Sequence, residues 1–300
     1  MIELNHSDSI GATKQMKQSF AGDVFNTAIY LKRLFQDIDV RLVTAVGQDH
    51  FSEEMVAFFE SESLNTKCVY KSEDKIPGLY AISLDEQGER SFTYWRENSA
   101  ARTIMNFIND DMLEQFERGD VFFFSGISLG VVLPEQRPMF WQRVQQLKSR
   151  GVKIVFDLNY RPKLWQSTVE AKEQFYRAFE SADVLLPGVD DFAAIFNVDT
   201  VEGVIEFFSR YQFDELIVKN GEKNVYCITP HQREIVNVSP VENVIDTTSA
   251  GDSFNGGYLG ARMAGMSVVE SVKLANNVAG FVIQHKGAIV DHALFSSRFN

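Results

Sequence analysis

Asp246-Thr247-Thr248-Ser249-Ala250-Gly251-Asp252-Ser253-Phe254 runs straight into an amphipathic helical stretch, and this junction decides how the rest of the chain is read. Ala250 and Gly251 permit a tight turn and a close approach of a ligand to the backbone. The helix that follows would aim its free N–H groups and positive dipole end at whatever sits above the turn, a setting that favours phosphate. Asp252 puts a carboxylate at the same spot, where it can accept a proton from an attacking hydroxyl. The plainer alternative is a helix cap, a common role for Asp. A carboxylate beside a phosphate site is electrostatically awkward, so the combination points to phosphoryl-transfer chemistry.

Composition narrows the partners. A chain of 300 residues can bury a large core, and one α/β domain with an appendage fits that length. A net charge of −12 argues against nucleic acid or an anionic membrane as the main partner. Cys68 and Cys227 lie far apart, and His6, His50, His231, His285 and His292 are scattered, so neither a disulfide framework nor a zinc site is indicated. The first 20 residues lack an apolar targeting core, and no stretch approaches the ~20 apolar residues of a membrane span. A soluble, cytoplasmic protein is expected.

Short apolar runs alternate with amphipathic stretches. Arg41 to Val46, Val121 to Ser125, Val152 to Leu158, Asp183 to Leu186 and Glu215 to Val218 read as buried strands. Asp23 to Phe35, Ser52 to Ser63, Glu135 to Ser149, Val169 to Phe179 and Val201 to Arg210 read as helices. This rhythm implies a parallel sheet covered on both faces, with ligands at the carboxyl ends of its strands. Between Asn65 and Thr93 the rhythm breaks. Cys68-Val69-Tyr70, Gly78 to Ile82 and Ser91 to Tyr94 are strand-like without a helix between them, and Asp85-Glu86-Gln87-Gly88 suits a hairpin turn. A small antiparallel sheet projecting from the main domain is expected.

The nonapeptide around Asp252 resembles the signature of the ribokinase-like (PfkB) carbohydrate kinases, usually Asp-Thr-x-Gly-Ala-Gly-Asp, with Ser249 in place of the first Gly. With Ser253-Phe254 and Gly257-Tyr258-Leu259 after it, the segment is most similar to the branch acting on 2-keto-3-deoxygluconate. The likeness runs from about Gly22 to Ala288. It implies an α/β three-layer sandwich with a mainly parallel central sheet, formed by residues 22–64 and 99–300. A discontinuous β-lid would comprise residues 5–21 and 65–98. ATP and Mg2+ are implied, with a monovalent cation as a further candidate and homo-oligomerisation through the lid left open. Family members begin with a full buried strand ahead of the equivalent of Met1-Ile2-Glu3-Leu4, and here that strand is almost absent. Either the chain shown starts downstream of the native start, or the gap is filled differently.

Each candidate site residue has a plainer reading beside its functional one. Gly22, Asp23 and Asn26 open a helix and form an ordinary cap turn, or, by the resemblance, contact sugar hydroxyls. Tyr94-Trp95-Arg96 is a strand surface with a snorkelling cation, or it joins Arg161 in gripping a substrate carboxylate. Tyr80 and Asp291 are further substrate candidates by resemblance; Asn159 and Arg161, in Asp157-Leu158-Asn159-Tyr160-Arg161-Pro162, also reach toward ATP phosphates. Lys219, Gly221 and Asn224 form a hairpin turn or a nucleotide loop, with Asn224 where the family has Gly. Ser249, Ala250 and Gly251 would cradle phosphate, and Asn277 (of Asn276-Asn277) would lie near adenine. Asp191, in Pro187-Gly188-Val189-Asp190-Asp191, falls at the Glu position of the Asn-x-x-Glu element that helps hold hydrated magnesium.

The leading expectation is ATP-dependent phosphorylation of the terminal hydroxyl of 2-keto-3-deoxygluconate, with Asp252 taking or orienting the hydroxyl proton. A kinase for a neutral ketose or another sugar acid is the alternative within the class. A catalytically silent sugar-sensing module is the alternative outside it.

Overall fold

The computed structural model describes residues 1–6, 16–84 and 90–299, with the side chains of residues 6, 83, 84 and 90 left out. Asp85 to Gly88, the expected hairpin turn, lies outside these residues. The chain opens with β1 (Ile2–His6), β2 (Met16–Phe20), α1 (Asp23–Leu34), β3 (Thr44–Val46) and α2 (His50–Ser61). Next come β4 (Val69–Lys71), β5 (Leu79–Leu84), β6 (Arg90–Trp95), α3 (Asp110–Leu113), β7 (Val121–Ser125), α4 (Gly126–Val131) and α5 (Arg137–Ser149). Then follow β8 (Lys153–Asp157), α6 (Thr168–Ser181), β9 (Val184–Leu185), α7 (Val189–Phe196), α8 (Val201–Phe208) and β10 (Glu215–Val218). The chain closes with β11 (Val225–Ile228), β12 (Arg233–Val236), α9 (Ala250–Met263), α10 (Val268–Val282) and α11 (His292–Phe299).

The main sheet runs β12-β11-β10-β9-β8-β7. Its β7 to β10 portion is parallel, and β11 and β12 return antiparallel at one edge. Helices on both faces bury the β-branched and aromatic runs that make these strands, as a parallel sheet requires. On one side Phe124, Phe156, Phe175, Phe179, Phe192 and Phe208 form the largest apolar cluster. On the other, Val155, Val184, Leu186 and Ile217 meet Phe254, Tyr258 and Leu259 of α9.

α9 sits unusually close to its neighbours because its inner face is glycine. A Cβ on Gly256 would lie 2.6 Å from the Thr27 carbonyl oxygen of α1, and one on Gly257 would lie 3.1 Å from the Ala275 Cα of α10. These close approaches lock α1 to α9, and a buried pair between Arg33 Nε and Glu62 Oε2 (2.7 Å) ties α1 to the end of α2.

Two sequence expectations need correction. Cys68 to Tyr70 was assigned to the projecting sheet, but β4 instead pairs parallel with β3, Thr44 opposite Val69. The projecting sheet has four strands, β2-β1-β5-β6, because Ile2–His6 takes a place between β2 and β5. Glu3 at its centre is buried, which a solvent-facing tail would not show. The β3–β4 pair stands apart from the main sheet, and among the described residues no strand bridges β3 and β7. Val43 and Thr44 on one side and Phe122 and Phe124 on the other line one cavity of about 1710 Å3, which continues into the site below.

Candidate active site

The first turn of α9 forms one wall of the site. Ser249 at the helix N-cap is left-handed (φ 65°), the conformation Gly adopts without cost. Asp246 fixes the turn from behind: Oδ1 accepts from Thr248 N–H at 2.9 Å and Oδ2 from Gly287 N–H at 2.8 Å. A Cβ on Gly251 would meet nothing within 4 Å, so the backbone here is open to the cavity. In the first turn of the 14-residue helix Ala250 N–H bonds the Thr247 carbonyl at 3.2 Å, which leaves the N–H groups of Gly251 and Asp252 for that space.

Asp252 is held by α1. Asn26 Nδ2 donates to Asp252 Oδ2 at 2.8 Å, and the Thr27 hydroxyl donates to the Asp252 carbonyl at 3.2 Å. The N-cap position belongs to Ser249, so the capping role does not describe Asp252. Burial, then the charge of Asp23, push the Asp252 carboxyl up to about 7 against the pull of the Asn26 amide. A carboxyl poised there can take a proton near neutral pH.

Asp23 opens α1 and accepts from the Ser125 hydroxyl at the carboxyl end of β7 and from Asn159 Nδ2 at 3.4 Å. Burial raises its carboxyl, the Ser125 hydroxyl opposes the rise, and the charge of Asp157 adds to it. Asn159 is itself left-handed (φ 29°). Asn26 therefore faces two ways: its Oδ1 accepts from Gly22 N–H at 3.3 Å while its amide holds Asp252.

The projecting sheet supplies Tyr80, Tyr94 and Arg96 to the same cavity. Tyr80 donates its hydroxyl to the buried Glu3. Arg96 lies over the Tyr94 ring, 4.1 Å from its centroid, and burial lowers its pKa. Arg161 is half-exposed; its Nη1 bonds the Tyr160 carbonyl at 2.8 Å and Asp191 Oδ1 at 3.4 Å. Asp191 also accepts from Tyr160 N–H at 3.1 Å. Burial and then the Asp157 charge raise its carboxyl to about 6, opposed by Arg161 and Lys219.

Gly22, Asp23, Asn26, Tyr80, Tyr94, Arg96, Asn159, Arg161, Asp191, Lys219, Gly221 and Ser249 to Asp252 thus line one space. Three candidates do not. Asp291 is exposed and caps α11, accepting from Ala293 N–H at 2.9 Å and Leu294 N–H at 3.1 Å. Asn277 is exposed on α10, whereas its neighbour Asn276 lines the cavity with a buried Nδ2 that lacks a protein partner. Asn224 is not in the left-handed region; Gly221 (φ 57°) makes the β10–β11 turn, with Gly221, Glu222 and Lys223 on the cavity.

Glu3, Thr27, Ser125, Asp157 and Asn255 were missed. Ser125 and Asp157 end strands, the places where ligands of parallel sheets gather. For Glu3, Thr27 and Asn255 no local signal existed; their roles depend on partners far along the chain.

The open backbone at Gly251 and the orphaned Asn276 amide beside Ala279, Gly280 and Val241 suit a nucleotide, with phosphates at α9 and a flat base against α10. Among the described residues no group of three His, Cys, Asp or Glu side chains could cage a metal. The donor set fits Mg2+ arriving on phosphate oxygens and water, with Asp191 as the candidate protein carboxylate.

The profile of the pfkB family carbohydrate kinases matches residues 1–293. The 2-dehydro-3-deoxygluconokinase of Haemophilus influenzae is 37% identical over 308 residues, covering 100% of this chain and 97% of that protein. The enzyme of the same name from Escherichia coli K12 is 35% identical over 298 residues, covering 97% and 94%. Among solved structures, the fructokinase of Xylella fastidiosa with bound ATP has a TM-score of 0.82 at 21% identity, covering 96% and 91%. No helix among the described residues is long and apolar enough to cross a membrane.

Proposed function

This chain belongs to the pfkB family of carbohydrate kinases, and we propose that it uses ATP to phosphorylate the terminal hydroxyl of 2-keto-3-deoxygluconate. The observation that carries this reading is the meeting, in one cavity, of a partly buried Asp252 at a helix N-terminus with Arg96 and Tyr94 from the projecting sheet. ATP supplies the transferred phosphoryl group and brings Mg2+ on its phosphates.

Asp252 Oδ1 or Oδ2 accepts the proton of the sugar hydroxyl as its oxygen attacks, so the oxyanion never carries a full charge. Asn26 keeps that carboxylate aimed. The N–H groups of Gly251 and Asp252 meet the negative charge that spreads over the moving phosphoryl group, while that of Ala250 is taken by the Thr247 carbonyl at 3.2 Å. Gly22, Asp23 and Asn159 offer donors and acceptors to sugar hydroxyls. Arg96, lying over the Tyr94 ring, presents its fork to the substrate carboxylate, with Arg161 tethered by Asp191 as the second cation. The sheet carrying Tyr80 and Tyr94 covers the sugar and limits hydrolysis of ATP. The reaction is proposed for the cytoplasm, and the exposed Met16 and Phe92 of the projecting sheet suit association of two copies.

An ADP-release assay over a panel of sugars tests this. 2-Keto-3-deoxygluconate should give by far the highest kcat/KM, ahead of fructose, ribose and an analogue with the acid reduced to an alcohol. Comparable kcat/KM for fructose or ribose would overturn the acid-sugar reading. No ADP release with any sugar would overturn the kinase reading.

A further inference from the structure

Lys219 follows the last residue of β10, and its backbone is fixed on both sides: its N–H donates to the Pro187 carbonyl at 2.9 Å and its carbonyl accepts from Val189 at 3.0 Å. Its ammonium lies 3.0 Å from Asp157 Oδ1 and 3.1 Å from Asn255 Oδ1. The triangle closes because Asn255 Nδ2 donates to Asp157 Oδ2 at 2.8 Å. Asp157 ends β8, and Asn255 stands three residues beyond Asp252 on α9. Asp157 and Asn255 are buried, Asn255 completely, and Lys219 is partly buried at the edge of the cavity.

We infer that Lys219 is a positioning residue that, through Asp157 and Asn255, fixes the rotation and height of α9 against the ends of β8 and β10. The inference rests on the kinase reading of Asp252. The Asn255 amide can satisfy both neighbours in one orientation only, oxygen to Lys219 and nitrogen to Asp157. Three residues are nearly one turn of helix, so whatever pins Asn255 pins Asp252. A lysine that left this triangle to bind phosphate would strand a buried Asp157 carboxylate, a costly state. Two of its three protons are already committed. The nucleotide-contact role suggested by the sequence is therefore the competing reading.

Lys219→Met, Asp157→Asn and the double variant separate the two. Lys219→Met keeps the stem and removes the charge. It should lower kcat by at least about tenfold, since a misplacement near 1 Å can cost up to ~10²-fold. KM for ATP, and ATP affinity by calorimetry, should change by less than about threefold. Adding Asp157→Asn removes the stranded charge and should recover most of the lost kcat. Amide hydrogen exchange over residues 250–256 should rise in Lys219→Met and fall back in the double variant. This readout stands even if the acid-sugar assignment fails, because it needs no sugar. ATP affinity weakened by about tenfold or more without recovery in the double variant would make Lys219 a phosphate ligand and overturn the inference. Unchanged kcat together with unchanged exchange would overturn it as well. If Lys219→Met does not fold, the comparison of the double variant with Asp157→Asn decides in the same terms.

Discussion

Asn26 Nδ2 and Asp252 Oδ2 meet at 2.8 Å although 226 positions separate them in the chain. An amide chosen from the sequence as a sugar contact is also the group that aims the carboxylate at the start of α9. Binding and chemistry are therefore linked through one side chain on α1.

Asp252→Asn should lower kcat by ~10²–10⁴ while ATP still binds, because the variant cannot accept a proton. Turnover close to that of the parent would reduce Asp252 to a structural role.

The pH dependence has a defined sign. Activity needs ionised Asp252, whose carboxyl is raised from 3.8 to about 7 chiefly by burial and then by Asp23. kcat should fall as pH drops through about 7. Asn26→Ala removes a donor that favours the ionised form, so the acidic limb should move to higher pH. For folding, a raised carboxyl contributes stability that is fully present below 3.8 and is lost as pH rises through about 7. Melting curves of Asp252→Asn against pH should lack that decline. A limb unmoved in Asn26→Ala would remove the aiming role.

Gly251→Ala separates folding from nucleotide binding. A Cβ there meets no protein atom within 4 Å, and alanine favours the helix, so Tm should hold or rise. ATP affinity by calorimetry should weaken, because the methyl occupies the space where phosphate would approach the backbone. Unchanged affinity would place the phosphates elsewhere.

Gly256→Ala should do the reverse. Its Cβ would press to 2.6 Å on the Thr27 carbonyl oxygen and 3.0 Å on the Leu31 nitrogen. Overpacking of this kind costs ~1–3 kcal/mol, read as a Tm lower by several degrees. Because the strain falls between α1 and α9, kcat should drop with it. A variant as stable as the parent would mean the two helices can slide apart.

Arg96→Ala should raise KM for the acid sugar at least about tenfold, since each charge-assisted bond lost is worth ~1.5–3 kcal/mol. Neutral analogues should be nearly unaffected. Lysine should restore only part of the loss, because it lacks the fork that Arg96 holds over the Tyr94 ring. Equal effects on acid and neutral sugars would assign Arg96 to the architecture of the projecting sheet.

The strand–helix alternation from Val121 to Val218 and the helix that begins at Ala250 were legible because each depends on local patterning: apolar runs of strand length and helical periodicity. The tight turn expected at Ala250-Gly251 falls instead on Thr248-Ser249, where Ser249 takes the left-handed conformation and Ala250 already belongs to α9. The junction at Asp252 also pointed to phosphoryl transfer, since a helix terminus and a carboxylate are adjacent in the chain itself. Pairing was not legible. Cys68 to Tyr70 reads as one more strand of the projecting sheet, yet β4 (Val69–Lys71) pairs with Thr44–Val46, because which edge a short strand joins depends on packing elsewhere. Asp291 lay in the right part of the chain but spends its carboxylate on the start of α11. The type of these elements and the kind of chemistry were thus legible in sequence alone, but not their lengths: Arg41 to Val46, read as one strand, is β3 only from Thr44 to Val46. Tertiary structure decided which groups meet: Asn26 with Asp252, Glu3 with Tyr80, and Lys219 with Asp157 and Asn255. Those contacts join residues remote along the chain: Glu3 meets Tyr80 because β1 pairs in register with β5, and closure of α9 on its glycine face against α1, over the ends of β8 and β10, brings the others within hydrogen-bond reach.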